Sequence, residues 1–118
     1  MATKNSCNLA GKKHQALPWI GWTTIDSSEA AHHLARMAVE SSLVACAQVD
    51  GPIFSYYRWQ GKLESAQEYR ITFKFSAKNV EALRGWILRN HTYQNPQWVA
   101  VCAADTTEEY TRWIERGE

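Results

Sequence analysis

The side chains able to hold a transition metal are few and scattered. They are His32, His33 and His91, Cys46 and Cys102 inside apolar runs, and Cys7 and His14 near the amino terminus. Imidazole and thiolate are the ligands that copper and zinc favour, so metal binding is the first chemistry to weigh. His32 and His33 are adjacent in a helical pattern, and at 3.6 residues per turn they point about 100° apart, a poor geometry for chelating one ion. They read as a solvated helix face. Cys46 and Cys102 read as small buried hydrophobes, since free cysteine is among the most buried residue types. His91 sits in a loop before Tyr93 and Pro96 and is the metal-ligand candidate, in competition with a hydrogen-bonded structural role. Catalytic motifs are another matter: the chain has no Gly-rich phosphate loop, no nucleophile elbow, and no Ser/His/Asp or Cys/His set placed by spacing.

These residues depend on a regular series of elements. Trp19 to Thr23 reads as a first strand, and Asp26-Ser27-Ser28-Glu29 can cap a helix whose apolar stripe is Ala30, Leu34, Met37 and Ala38, with Val39 as a further candidate. Leu43 to Val49 is a buried strand, broken at Asp50-Gly51-Pro52 and resumed from Ile53 to Trp59. Gln60-Gly61 then predicts a tight hairpin, because glycine supplies the positive φ such turns need. On the returning strand Tyr69, Ile71, Phe73 and Phe75 alternate with Glu68, Arg70, Thr72 and Lys74, a period of two that separates an apolar face from a polar one. Ser76 can cap a second helix with Val80, Leu83, Trp86 and Ile87 on its apolar side, ending near Asn90. Gln97 to Cys102 is a fourth strand. Thr106-Thr107-Glu108-Glu109 resembles a capping box ahead of a short last helix faced by Tyr110, Trp113 and Ile114.

Composition bounds what this series can do. The chain has 118 residues, 45% of them hydrophobic, which suits one domain with a modest core. Thirteen basic residues against twelve acidic ones leave a formal charge of +1, without the electrostatic footprint of a nucleic-acid or anionic-membrane partner. Three widely spaced cysteines without a C-x-x-C argue against a disulfide framework and a structural zinc site, and point to a reducing cytoplasm. Residues 1–16 are polar and lack the apolar block of a signal peptide, so they read as a flexible tail ahead of a domain spanning 17–118.

The order β-α-β-β-α-β with a further carboxyl-terminal helix is the ferredoxin-like α+β arrangement, an antiparallel sheet with two helices on one face. The uncovered face and the hairpin would then display part of a set of six Trp and five Tyr, more than a monomer comfortably exposes. Self-association covers such a surface and closes the open strand edges.

Val44-Ala45-Cys46-Ala47-Gln48-Val49, the hairpin Ser55-Tyr56-Tyr57-Arg58-Trp59-Gln60-Gly61-Lys62-Leu63, Glu68, Lys74, His91 through Pro96, and Tyr110-Thr111-Arg112-Trp113-Ile114 follow one another in an order and spacing that resembles the CutA divalent-cation-tolerance proteins. The resemblance runs from about Trp19 to Ile114. It implies a ferredoxin-like subunit in a tight homotrimer, tolerance to copper and other divalent cations, no established reaction, and no required cofactor. Copper-binding members of the family have a Cys at the end of the first strand and a His-His pair before the Tyr. Trp22 and Asn90-His91 stand at those positions, and Gln97 stands where an acidic residue is usual, so the resemblance implies at most weak binding of copper or another divalent cation, at His91.

The expected site is an inter-subunit cleft around Tyr57, Trp59, Glu68, Lys74 and Tyr93, with His91 contributed by an adjoining subunit. The alternative for Glu68, Arg70 and Lys74 is a hydrogen-bonded network at the subunit contact. Two functions fit: a non-enzymatic trimer of metal tolerance, with itself and divalent cations as partners, or a small-molecule-binding signalling module or enzyme that uses the same cleft.

Overall fold

The computed structural model describes residues 16–116. Cys7, His14 and nearly all of the expected tail lie outside the described residues. Strand β1 (Trp19–Ile25) is central, pairing with β3 (Lys62–Phe75) on one side and β4 (Val99–Cys102) on the other, while β2 (Cys46–Trp59) flanks β3. The order is β2-β3-β1-β4, and every neighbouring pair is antiparallel. Helices α1 (Ser28–Glu40) and α2 (Val80–Asn90) form the two crossovers, and α3 (Glu108–Arg116) follows β4. This is the ferredoxin-like α+β topology.

The core lies between the sheet and the helices because the alternation on β3 sends Ile71, Phe73 and Phe75 to one side, where all three are fully buried. On α2 the buried residues are Val80, Leu83, Trp86 and Ile87, the stripe expected from the sequence. On α1 they are Ala31, Leu34, Ala35 and Ala38. Ala30 and Met37 flank that stripe half-buried, so the seam is rotated from its expected position. Alanine at three of the four buried sites lets α1 approach the sheet closely, a consequence of volume that a hydropathy pattern does not weigh.

Several boundaries differ for local reasons. Strand β2 starts at Cys46 rather than Leu43, although Ala45 N–H already donates to the Lys74 carbonyl at 2.9 Å. Its register with β3 slips between Asp50 and Ile53, the bulge foreseen at Gly51-Pro52. The capping box does not close as Thr-x-x-Glu: the cap is Thr107, whose Oγ1 accepts from Tyr110 N–H at 3.2 Å. Cys46 is a half-buried free thiol, whereas Cys102 is half-buried and disulfide-bonded, against the expectation of two buried thiols.

At the hairpin both Gln60 (φ 51°) and Gly61 (φ 80°) adopt positive φ, the type I′ geometry that matches the twist of the flanking strands. Beyond the bulge β2 and β3 pair to the end, from Ile53↔Glu68 to Trp59↔Lys62, and form an arm whose Phe54 and Leu63 are 69% and 77% exposed.

One close approach orders the other end of the core. The Trp98 indole lies against Gly21 of β1 and packs on Phe73 and Phe75 at centroid distances of 6.0 and 6.2 Å. A Cβ at Gly21 would run into that ring, with Cζ2 and Cζ3 both 3.0 Å away. Gly21→Ala is therefore expected to destabilise the chain by about 1–3 kcal/mol through overpacking, read as a lower urea midpoint with little change in slope.

Candidate functional site

Pairing between β1 and β4 ends at Trp22↔Val99, so the Thr24 carbonyl on that edge needs another donor. His91 provides it. Helix α2 stops at Asn90, His91 turns into an extended conformation (φ −79°, ψ 146°), and its Nε2 lies 2.8 Å from the Thr24 carbonyl oxygen. The other ring nitrogen, Nδ1, accepts from Tyr93 N–H at 3.0 Å. An amide can only donate and a carbonyl can only accept, so the ring is the neutral tautomer with its proton on Nε2.

That ring places Tyr93. The two rings lie 4.7 Å apart, and the phenol reaches past the end of β1 to donate to Glu68 Oε2 at 2.8 Å. The other carboxylate oxygen, Oε1, accepts from the Ser55 hydroxyl at 2.6 Å. Glu68 is only 8% exposed. Burial raises the Tyr93 pKa well above its ordinary value, and the hydrogen bond to Glu68 and the charges of Glu68, Asp26 and Tyr57 push it the same way.

Above this carboxylate opens a cleft of about 920 Å³ between the arm and the loop of residues 93–97. Ser55, Tyr57 and Trp59, which alternate along β2, line it from the arm, Tyr93, Gln94, Asn95 and Gln97 from the loop, and Asp26 also belongs to the lining. Four of the five expected cleft residues, Tyr57, Trp59, Glu68 and Tyr93, thus meet around one space within a single subunit. Lys74 does not: it lies at the far end of β3, where its ammonium sits 5.8 Å from the Tyr110 ring centroid. Arg70 is separate as well, paired with Asp50 by bonds of 2.9 and 3.3 Å. The anticipated Glu68-Arg70-Lys74 network is therefore three separate contacts. His91 does not line the cleft itself but supports Tyr93 of its own chain.

Sequence reasoning missed Ser55, Asp26 and the Gln94-Asn95 edge. Ser55 had a readable signal, two positions before Tyr57 on the same face of the strand. Within the Asp26–Glu29 capping segment the cap is Ser27, whose Oγ accepts from Ala30 N–H at 3.0 Å, and Asp26 lines the cleft instead.

The same geometry sets the limits for metal. Both His91 nitrogens are committed, and His32 and His33 are exposed on α1, with His32 Nδ1 2.8 Å from the Ser28 carbonyl. Among the described residues no three His, Cys, Asp or Glu side chains converge on one point. A transition-metal centre held by one subunit does not fit these residues.

The topology and cleft define a ferredoxin-like α+β subunit with a pocket between its hairpin arm and the loop before its last strand. Residues 19–117 match the family model for CutA1 divalent ion tolerance protein. A divalent-cation tolerance protein CutA of Yersinia pestis is 30% identical over 91 residues, covering 77% of this chain and 76% of that protein. The divalent cation tolerance protein of Thermus thermophilus superposes with a TM-score of 0.82 at 29% identity, covering 86% of this chain and 98% of that one. The Archaeoglobus fulgidus CutA, called periplasmic, gives a TM-score of 0.81 at 27% identity, with coverage of 86% and 98%. The chain belongs to the CutA1 divalent ion tolerance family.

Because the Tyr93 pKa is raised on folding, the folded state holds the phenolic proton more tightly than the unfolded chain does. Stability is then complete below the ordinary tyrosine value of about 10 and is lost as pH rises above it. Tyr93→Phe should lower stability at neutral pH by about 1 kcal/mol and flatten that alkaline decline, as measured by urea unfolding at a series of pH values.

Proposed function

We propose that this chain is a non-enzymatic homotrimer of divalent-cation tolerance whose responsive site is the cleft over Glu68. The observation that carries the reading is a buried carboxylate lining an open cleft, with a second acid, Asp26, in the same lining, in a chain of this family. Both donors to Glu68 are neutral hydroxyls, so its negative charge is held but not cancelled.

Trimerisation is supported by what one subunit leaves uncovered. The long β2 and the short β4 are the two sheet edges, and the arm carries Phe54, Tyr56, Tyr57, Trp59 and Leu63 in exposed positions. A head-to-tail contact between such unlike edges closes into a ring when the rotation permits, and covers Phe54, Tyr56 and Leu63, which alternation and the Arg58↔Leu63 pairing place on the opposite strand face from Tyr57 and Trp59. Each cleft then lies beside a neighbouring subunit.

Divalent cations meet this cleft weakly, through the carboxylates of Asp26 and Glu68, while His91 positions Tyr93 rather than coordinating. Copper, which prefers nitrogen and sulfur, has no advantage in such an oxygen site.

Light scattering is expected to give about three times the 13.5 kDa chain mass at micromolar concentration; a monomer would refute the assembly. In calorimetric titration with Zn(II) or Mn(II), weak heats should diminish in Asp26→Asn. Heats unchanged in that variant and abolished in His91→Ala would return the ligand role to the imidazole.

A further inference from the structure

The walls of the cleft have a chemistry that a bare divalent cation does not use. A hard cation takes six or more oxygen ligands and gains little from aromatic faces. Yet Tyr57 and Trp59, on the cleft side of β2, are 44% and 49% exposed, and they stand on the same strand face as Ser55, which grips Glu68. The volume of about 920 Å³ leaves room for an organic molecule where a weakly held ion would fill only a small part.

The carboxylate is built to receive more than it holds. An ionised carboxylate offers about four lone-pair positions, and Glu68 uses one on each oxygen, for Ser55 and Tyr93. Two acids, Asp26 and Glu68, line the cleft together with one guanidinium, Arg58. The balance is negative, which disfavours anions and nucleotides.

We infer that this cleft binds a small organic cation carrying N–H donors, a primary ammonium or an amidinium, with its charged head on Glu68 and its body against Tyr57 and Trp59. The assignment rests on the cleft being the functional site, and adds to that reading the class of its occupant. Aromatic faces attract a cation through their quadrupole, and the buried carboxylate supplies a directional acceptor that selects N–H groups over a methylated cation. Gln94, Asn95 and Gln97 supply amides for polar groups on the remainder of the ligand.

The test uses the full chain in EDTA, titrated calorimetrically with benzamidine and butylamine, and with tetramethylammonium and benzoate as controls. Saturable binding of benzamidine or butylamine is expected, with weaker binding of tetramethylammonium and none of benzoate. Glu68→Gln, which keeps shape and one acceptor oxygen, should weaken binding about tenfold or more. Trp59→Ala should weaken it several-fold with recovery in Trp59→Phe, and the exposed Asp26→Asn should weaken it without altering the fold. The inference is overturned if neither amine binds, if benzoate binds as well as benzamidine, if tetramethylammonium equals both amines, or if binding survives Asp26→Asn and Trp59→Ala unchanged. With divalent ions removed, failure here leaves the metal heats intact. Loss of the metal heats with retained amine binding overturns only the metal reading.

Discussion

Glu68 sits where three parts of the chain converge, and its two hydroxyl donors tie them together. Ser55 comes from the arm and Tyr93 from the loop after α2, while Glu68 itself belongs to β3, just beyond the last β1–β3 pair, Ile25↔Tyr69. A buried carboxylate left without donors costs far more than the same group in water, so both partners are held in place by its needs. Tyr93 is in turn fixed by His91, and His91 by a carbonyl that β4 is too short to reach. The shortness of one edge strand thus determines where a phenol stands on the far side of β1.

The rest of the fold makes this arrangement rigid. Trp98 lies against Gly21 and packs at a tilt on Phe73 and Phe75, anchoring the residue immediately before β4 and therefore the end of the 91–98 loop. At the other end of that loop His91 N–H closes α2 by bonding the Ile87 carbonyl at 2.9 Å. With both ends fixed, the short connection has little freedom, and the cleft wall it forms is preorganised rather than assembled on binding. The arm opposite depends on the hairpin turn and its own pairing, and is the wall that a neighbouring subunit would support.

Much of the site was legible in the residues. Tyr57 and Trp59 announce themselves by alternation, Glu68 by its place on the polar face of β3, and Tyr93 by the loop it shares with His91. Lys74 does not join them within one chain, for a simple reason. Alternation shows that Glu68 and Lys74 share a face, but six residues of strand separate them by about 20 Å, more than one cleft can span. A hydrogen-bonded structural role for His91 was legible, but its partner was not, because the ring bonds to a backbone carbonyl sixty-seven positions away in sequence.

Local chemistry in the sequence determined the element order, the bulge at Gly51-Pro52, the hairpin at Gln60-Gly61 and the buried stripe of α2, since each follows from neighbouring dihedral preferences or from a period of two or 3.6. The family resemblance followed from the same residues. The rotated seam of α1, the dispersal of Glu68, Arg70 and Lys74 to three partners, and the commitment of both His91 nitrogens were decided only in three dimensions. Each depends on which distant backbone or side-chain group is left needing a partner once the sheet has closed, and that need does not exist until the strands are paired.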